Sequence, residues 1–201
     1  MGAAARRSPG GERAVTRETL DRRVVAWQLG RTPRGFEAVC VRCPYGFPQV
    51  VSVPPVIDGE PFPTTFWLTC PHLAVRVSRV EAAGGIHRME ERLRRDARFA
   101  ARYADAHRAA IAERTRRLSP RDRARLAASG RLDALLRTGV AGLSDRSRVK
   151  CLHAHVAHAL ASENPVGEAV LELIPDRACP PQQVICSAAS AAEQIGQPSS
   201  C

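Results

Sequence analysis

The chain has 201 residues and a formal net charge of +10, with 44% hydrophobic but only 4% aromatic residues. A chain of this length can bury a hydrophobic core without disulfides or metal, and this composition excludes a coiled-coil rod and a wholly disordered chain. Lys150 is the only lysine among 30 basic residues, so the excess of arginine is as typical of a GC-rich genome as of a nucleic-acid partner. We therefore expect one basic, soluble domain.

Membrane insertion is not expected, because no stretch approaches the roughly 18 uninterrupted apolar residues of a membrane-spanning helix. Arg6 and Arg7 near the N-terminus are not followed by an apolar run, so a secretory signal is not predicted either. The seven cysteines then indicate metal binding, redox chemistry or burial rather than disulfides. The expected location is the cytoplasm.

The ends of the chain differ in composition from its middle. Residues 1–16, rich in Ala, Arg, Ser and Gly, show no periodicity and are predicted to form a disordered tail. A single α+β domain is expected over residues 17–175, and residues 176–201 are expected to form a second, mostly disordered tail. The domain is predicted to begin with a helix that ends at Gly30.

From residue 36 the hydrophobic period changes to two, which predicts strands. Three short strands are expected within residues 36–70, and turn residues at positions 43–48 join the first two into a hairpin. A loop is predicted over residues 54–63. The three strands would form a small antiparallel sheet, which needs helices on one face for stability.

Helices are predicted for most of the remaining chain. The apolar pattern runs from residue 73 to residue 118, with breaks at Gly84 and near Asp96. The last long helix is predicted to begin near Asp145 and to end at about Ala161. The expected fold class is therefore α+β, with a small antiparallel sheet packed against a helical C-terminal majority.

Cysteine is followed by proline at three positions, Cys43, Cys70 and Cys179. Proline after a thiolate ligand fixes the next φ and removes a backbone N–H from local pairing. Iron–sulfur motifs contain the same Cys-Pro step. Alternatively, these prolines simply end strands. Cys40 forms an isolated CxxC with Cys43 and is predicted to be a core residue of the first strand.

Six short motifs stand in a characteristic order along the chain. They are QLGRTPRG at 28–35, RCPYGFP at 42–48, PFPTTFWLTCP at 61–71, SRVE at 78–81, VKCLH at 149–153 and NPVG at 164–167. Together they resemble an uncharacterised actinobacterial family, the domain-of-unknown-function family 501, over about residues 20–170. The resemblance implies no activity. Members are often encoded near a septum-initiator-like coiled-coil protein, which implies a cell-division partner as one alternative.

A helix through Cys151 adds a second arrangement of potential ligands. Its wheel places Cys151, His155 and His158 on one face, opposite an aliphatic face, and thiolate and imidazole ligands at i and i+4 suit a tetrahedral metal. We expect zinc, whereas four cysteines would instead suit an iron–sulfur cluster. The predicted ligands, brought together from distant segments, are Cys43, Cys70, Cys151, His155 and His158, with His153 and Cys179 as alternates.

An enzyme is one alternative function. Cys43 or Cys151 would then act as a nucleophile or redox thiol beside a histidine. Glu81, Tyr103 and His107 are candidates for acid–base chemistry. The sequence alone does not show whether these side chains meet.

A binding module is the other alternative. The arginine-rich segment 92–125 could follow the phosphates of a nucleic acid or bind a cell-division partner. Acidic residues are interleaved with these arginines, which favours a solvated, mixed-charge helix face and disfavours nucleic acid. Arg79 and Arg34, which lie in the family motifs, are candidates for contact with an anion or a partner.

Overall fold

The computed structural model describes residues 16–189 of the chain. It has the expected α+β architecture, in which a small antiparallel sheet is followed by a helical majority. The tail predicted over residues 1–16 lies outside the described residues except for Thr16, which caps the first helix. Within the described range, no helix is both long enough and apolar enough to cross a membrane.

The strands of the described segment form two small sheets. In chain order, β1 to β5 are Ala38–Arg42, Pro48–Ser52, Val56–Ile57, Glu60–Pro61 and Phe66–Leu68. The first sheet has the order β1-β2-β5, and both of its strand pairs are antiparallel. The three strands predicted within residues 36–70 are therefore confirmed.

The second sheet is a hairpin of β3 and β4 within residues 54–63, for which the sequence pattern predicts only a loop. Asp58 and Gly59 form its turn, with φ values of 53° and 82°. A tight two-residue turn requires this left-handed region at both central positions, and Asp-Gly is its sequence signal. Because each strand has only two residues, the sequence cannot show the alternating pattern that predicts a strand.

Residues 16–189 also contain eight α-helices. In chain order, α1 to α8 are Arg17–Leu29, Pro71–Ala82, Gly85–Arg95, Ala97–Arg117, Pro120–Ala128, Leu132–Arg137, Leu152–Ala161 and Pro165–Glu172. A short 3-10 helix, Val140–Gly142, precedes α7. The predicted helix signals are confirmed at Gly30, which ends α1 in the left-handed conformation, and at Asp96, which caps α4.

The start of α7 differs from the prediction, because the helix begins at Leu152 rather than near Asp145. The Asp145 carboxylate accepts hydrogen bonds from the amide and the hydroxyl of Ser147, so it closes a local turn. Farther along, the Glu90 carboxylate accepts the Val149 N–H at 3.1 Å. These contacts hold the segment before α7 outside the helix.

The main core lies between α2, α3, α4, α7 and α8, where Leu73, Leu152 and Val156 are fully buried. Strand β2 is buried along its whole length. Helix α1 covers one face of the sheet, where Val25 packs with Val51, and α7 contacts all three strands. Helix α7 is therefore the central element of the domain.

A smaller core joins α5 and α6 through Leu126 and Leu135. Arg114 of α4 supports it and is only 1% exposed. Its guanidinium donates to the carbonyl oxygens of Pro63 at 2.6 Å and Leu135 at 2.7 Å, and to that of Thr138. Burial lowers the pKa of Arg114 to about 10, so the side chain stays charged at neutral pH. The expectation of a solvated arginine face is wrong at this position.

The C-terminal segment 176–189 packs against the domain, which corrects the prediction of a mostly disordered tail from residue 176. Cys186 is only 5% exposed, and the Tyr45 hydroxyl donates to the Cys179 carbonyl at 2.7 Å. These contacts come from distant parts of the chain, so the segment's composition does not reveal them. Residues 190–201 lie outside the described residues.

Replacing Arg114 with Met should lower the free energy of unfolding by about 3 kcal/mol, because buried backbone carbonyls lose their donor. Arg116 is exposed on the same helix and provides the control. Arg116→Met should change the free energy of unfolding by less than about 0.5 kcal/mol. Urea denaturation followed by circular dichroism measures both, and equal small effects would count against a structural role for Arg114.

Candidate functional site

Three potential metal ligands meet where the last turn of α2 approaches the start of α7. They are Glu81, Cys151 and His153, and their donor atoms all lie within 4.8 Å of one another. The His153 Nδ1 atom is 3.3 Å from the Glu81 Oε1 atom and 4.0 Å from the Cys151 sulfur. Among residues 16–189, no other three Asp, Glu, Cys or His side chains meet so closely.

Glu81 is positioned by the start of α7. Cys151 occupies the N-cap of this helix and makes no capping hydrogen bond through its side chain. Glu81 replaces that cap, because its Oε1 atom accepts the Leu152 N–H at 2.6 Å. The negative carboxylate also lies at the positive end of the helix. One contact therefore supports α7 and holds the carboxylate beside the thiol.

His153 is held through both ring nitrogens. Its Nε2 atom lies 3.1 Å from the carbonyl oxygen of Ala74 and 3.2 Å from the hydroxyl of Ser78, both on α2. When Nε2 carries a proton, it donates to the carbonyl and leaves Nδ1 facing the thiol and the carboxylate. In metal sites, a carbonyl oxygen that accepts a hydrogen bond from the non-coordinating ring nitrogen commonly orients the histidine.

The thiol and the imidazole shift the ionisation of one another. The hydrogen bond with Cys151 raises the pKa of His153 to about 9 against the effect of burial, and the Glu81 carboxylate adds to the rise. The same hydrogen bond lowers the pKa of Cys151, again against burial. The two groups titrate as a coupled pair. Their interaction favours a thiolate beside an imidazolium when no metal is bound.

Cys151 and His153 line a cleft of about 330 Å³ between the end of α1, β5 and the start of α7. One wall carries Trp67, and the Arg31 guanidinium lies 5.5 Å from the centroid of its ring. Lys150 adds a second positive charge to the lining. This combination suits a ligand with an apolar body and an anionic group. A larger cleft of about 450 Å³ beside α1 is lined by no cysteine or histidine.

Cys43 and Cys70 do not lie beside this group, contrary to the predicted convergence with Cys151. Cys70 is the N-cap of α2 and Glu81 lies at the other end of the same helix, which places them about 16 Å apart along its axis. Cys43, Cys70 and Cys179 instead line a different cavity together with Cys186. The predicted ligands therefore lie in separate parts of the fold.

His155 and His158 lie inside the domain, and neither joins the group around Cys151. The His155 Nε2 atom is 3.3 Å from the Tyr103 hydroxyl, and its Nδ1 atom is 3.2 Å from the side-chain nitrogen of Asn164. The helical wheel that grouped these histidines with Cys151 is wrong because Cys151 precedes the helix. Only residues within α7 follow its spacing of 100° per residue.

Arg34 and Arg79, the two arginines predicted to contact an anion or a partner, lie at the surface. Arg34 pairs with Asp58 at 2.6 Å, and Arg79 is exposed on α2. Within the segment 92–125, several arginines pair with acidic side chains, as Arg102 does with Glu168 at 2.7 Å. Such pairing interrupts the arginine-rich face.

The family resemblance of the sequence motifs is confirmed by a match to a family model. A family model described as "Protein of unknown function (DUF501)" matches residues 39–172. The chain belongs to this family. No curated protein and no solved structure matches the chain. The match includes Glu81, Cys151 and His153, so the site lies within the part of the chain that defines the family.

In the core of this family member, His107 and His155 pack against the Tyr103 ring, and His158 is also buried. Burial lowers the pKa of His107 to about 4 and that of His155 to about 3, and it also lowers the pKa of His158. The His107 Nδ1 atom accepts the Val140 N–H at 3.0 Å, as a neutral imidazole can. These histidines are therefore neutral at pH 7 and contribute to the core.

The free energy of unfolding should fall as the pH decreases from about 6.5 to about 4. In this range the unfolded chain protonates His107 and His155 while the folded chain does not, which costs up to about 1.4 kcal/mol per pH unit for each. His155→Gln should reduce this slope, whereas His87→Gln, at an exposed position, should leave it unchanged. Urea denaturation at several pH values measures the slope; an unchanged slope in His155→Gln would contradict a buried neutral imidazole.

Proposed function

We propose that the chain binds zinc through Glu81, Cys151 and His153 and leaves a fourth coordination position for a ligand from the cleft. The proposal is carried by one observation, the approach of a carboxylate oxygen, a thiol sulfur and an imidazole nitrogen to within 4.8 Å of one another. Catalytic zinc commonly has three protein ligands, whereas structural zinc is closed by four. The open cleft beside Cys151 therefore favours a catalytic site.

The separations between the donor atoms support an ion of this size. Tetrahedral ligands at zinc distances stand roughly 3.3–3.7 Å apart. The His153 Nδ1 atom lies 3.3 Å from the Glu81 oxygen and 4.0 Å from the Cys151 sulfur. The separation between His153 and Glu81 already matches, and the Cys151 thiol would move closer to His153 when the ion binds. The thiolate and the carboxylate would together balance the charge of a divalent ion.

The cleft indicates the class of ligand. Arg31 and Lys150 bring positive charge to the cleft that Cys151 and His153 line, and Trp67 supplies an apolar wall. A small molecule with a carboxylate or phosphate and an apolar portion matches these groups. Bound zinc would supply Lewis-acid chemistry. The chain's own cations would orient the anionic part of the ligand.

The zinc content of the full-length protein tests this site. Cys151→Ser should remove one equivalent of zinc per chain, because it deletes a ligand, and Glu81→Gln should weaken binding by about tenfold or more. Cys40→Ser is the matched control, since Cys40 is exposed in β1. Elemental analysis of protein purified without chelators gives the result. Equal zinc in Cys151→Ser and Cys40→Ser would contradict the proposal.

The coupled thiol and imidazole support a second candidate, in which Cys151 is the nucleophile of a metal-free enzyme. His153 stabilises the thiolate, and the N-terminus of α7 adds positive potential. The same cleft would deliver the substrate to the sulfur. Both candidates use the same residues, so the experiment that distinguishes them must measure the reactivity of the Cys151 thiol.

Alkylation by iodoacetamide at pH 7 separates the two candidates. A metal-free nucleophile should react at Cys151 at least about tenfold faster than at Cys40, and His153→Asn should abolish that difference. With zinc bound, Cys151 should react only after a chelator is added. Mass spectrometry of the labelled peptides reads both outcomes. Slow labelling of Cys151 with and without chelator would exclude the nucleophile.

A further inference from the structure

We infer that the chain has a second zinc site, built from four cysteines and structural rather than catalytic. The four cysteines are Cys43, Cys70, Cys179 and Cys186. They line one small, largely enclosed cavity. They come from the turn after β1, the N-cap of α2 and the C-terminal segment, so an ion there would join three separate parts of the fold. This inference does not depend on the proposed function.

The four side chains are free thiols that line the same cavity. Cys70 and Cys186 are buried there, and Cys43 and Cys179 are half-buried. Thiolates gathered in one place repel one another unless a cation compensates them. A divalent ion of high thiolate affinity is the partner that this arrangement suits.

The size of the cavity favours a single metal ion over an iron–sulfur cluster. Its volume of about 10 Å³ corresponds to one water molecule, which is too small for a cluster of several iron and sulfide ions. Four sulfurs bound to tetrahedral zinc would lie about 3.8 Å apart. No three of these sulfurs are within 4.8 Å of one another. Binding would therefore draw the half-buried Cys43 and Cys179 inward toward the buried Cys70 and Cys186.

Donor groups around the cavity support bound thiolates. The Gln28 side-chain amide donates to the Cys186 sulfur at 3.3 Å. Cys70 is the N-cap of α2 and lies beside the first backbone amides of that helix, which have no partner within the helix. Amide donors and a helix N-terminus stabilise a thiolate in preference to a thiol. The proposed site therefore has hydrogen-bond donors for the thiolates in addition to the four ligands.

An ion bound at this site would hold the C-terminal segment, residues 176–189, against the rest of the domain. That segment begins beyond residues 39–172, the part matched by the family model. It is anchored by the hydrogen bond from Tyr45 to Cys179 and by a contact of 3.0 Å between the His72 Nε2 atom and the Asp176 carbonyl oxygen. An ion held by thiolates from both sides would cross-link the segment, and its binding energy would become folding energy.

Zinc stoichiometry in the full-length protein separates this site from the one around Cys151. Wild-type protein should hold two equivalents per chain, Cys186→Ser and Cys151→Ser one each, and the double variant none. Cys179→Ser, at a half-buried position, should reproduce the loss even if Cys186→Ser fails to fold. Cys40→Ser should retain both equivalents. Elemental analysis after chelator-free, anaerobic purification provides the numbers.

Each pattern of zinc loss has a different meaning. If Cys186→Ser and Cys179→Ser keep the wild-type zinc while Cys151→Ser loses it, the second site is wrong and the proposed function stands. The reverse pattern supports the second site and overturns the proposed one. Cobalt loaded into Cys151→Ser should show the strong thiolate charge-transfer absorption of a four-sulfur site. Bound iron and sulfide, or disulfides among the four cysteines in freshly purified protein, would overturn the zinc assignment.

Discussion

The candidate site depends on two carboxylates that support a helix to which neither belongs. Glu81 of α2 accepts the Leu152 N–H, and Glu90 of α3 accepts the Val149 N–H while pairing with Arg148. The first amides of a helix have no partner within it, so Glu81 meets a need that α7 cannot meet itself. Glu90 instead holds the residues just before the helix. Their contacts set where α7 begins. The helix start and the position of the proposed ligands thus have a common cause.

The middle of α7 constrains the same site through packing. A Cβ atom at Gly167 of α8 would lie 2.1 Å from the His155 carbonyl oxygen, so only glycine permits this crossing. Asn164 accepts the Gly167 N–H and also contacts the His155 ring. The NPVG motif of the family is therefore explained by the contact between α7 and α8. Because this contact fixes the position of α7 in the domain, it helps to direct the His153 side chain toward α2.

Local signals predicted the fold well, whereas the site depends on contacts that the sequence does not display. Period-two alternation predicted the three-stranded sheet, and the break in the apolar pattern near Asp96 predicted a helix boundary. The carboxylate that holds Val149 outside α7 comes from another helix, so the predicted helix began too early and His153 was only an alternate ligand. Glu81 was predicted as an acid–base residue and not as a ligand, because its neighbours are separated from it by about 70 residues of chain. Cys40, expected in the core, is exposed, because the register of β1 shifts beside it.

Helix α2 relates the two proposed ions to each other. It has 12 residues, and Cys70 and Glu81 lie at its opposite ends, about 16 Å apart. Two divalent charges at that distance repel by roughly 1 kcal/mol in water, and physiological salt, with a Debye length of about 8 Å, reduces this further. Occupancy of one site should therefore change the affinity of the other by less than about tenfold through charge alone. Stronger coupling would have to pass through a displacement of α2 itself, since this helix supplies a ligand at each end.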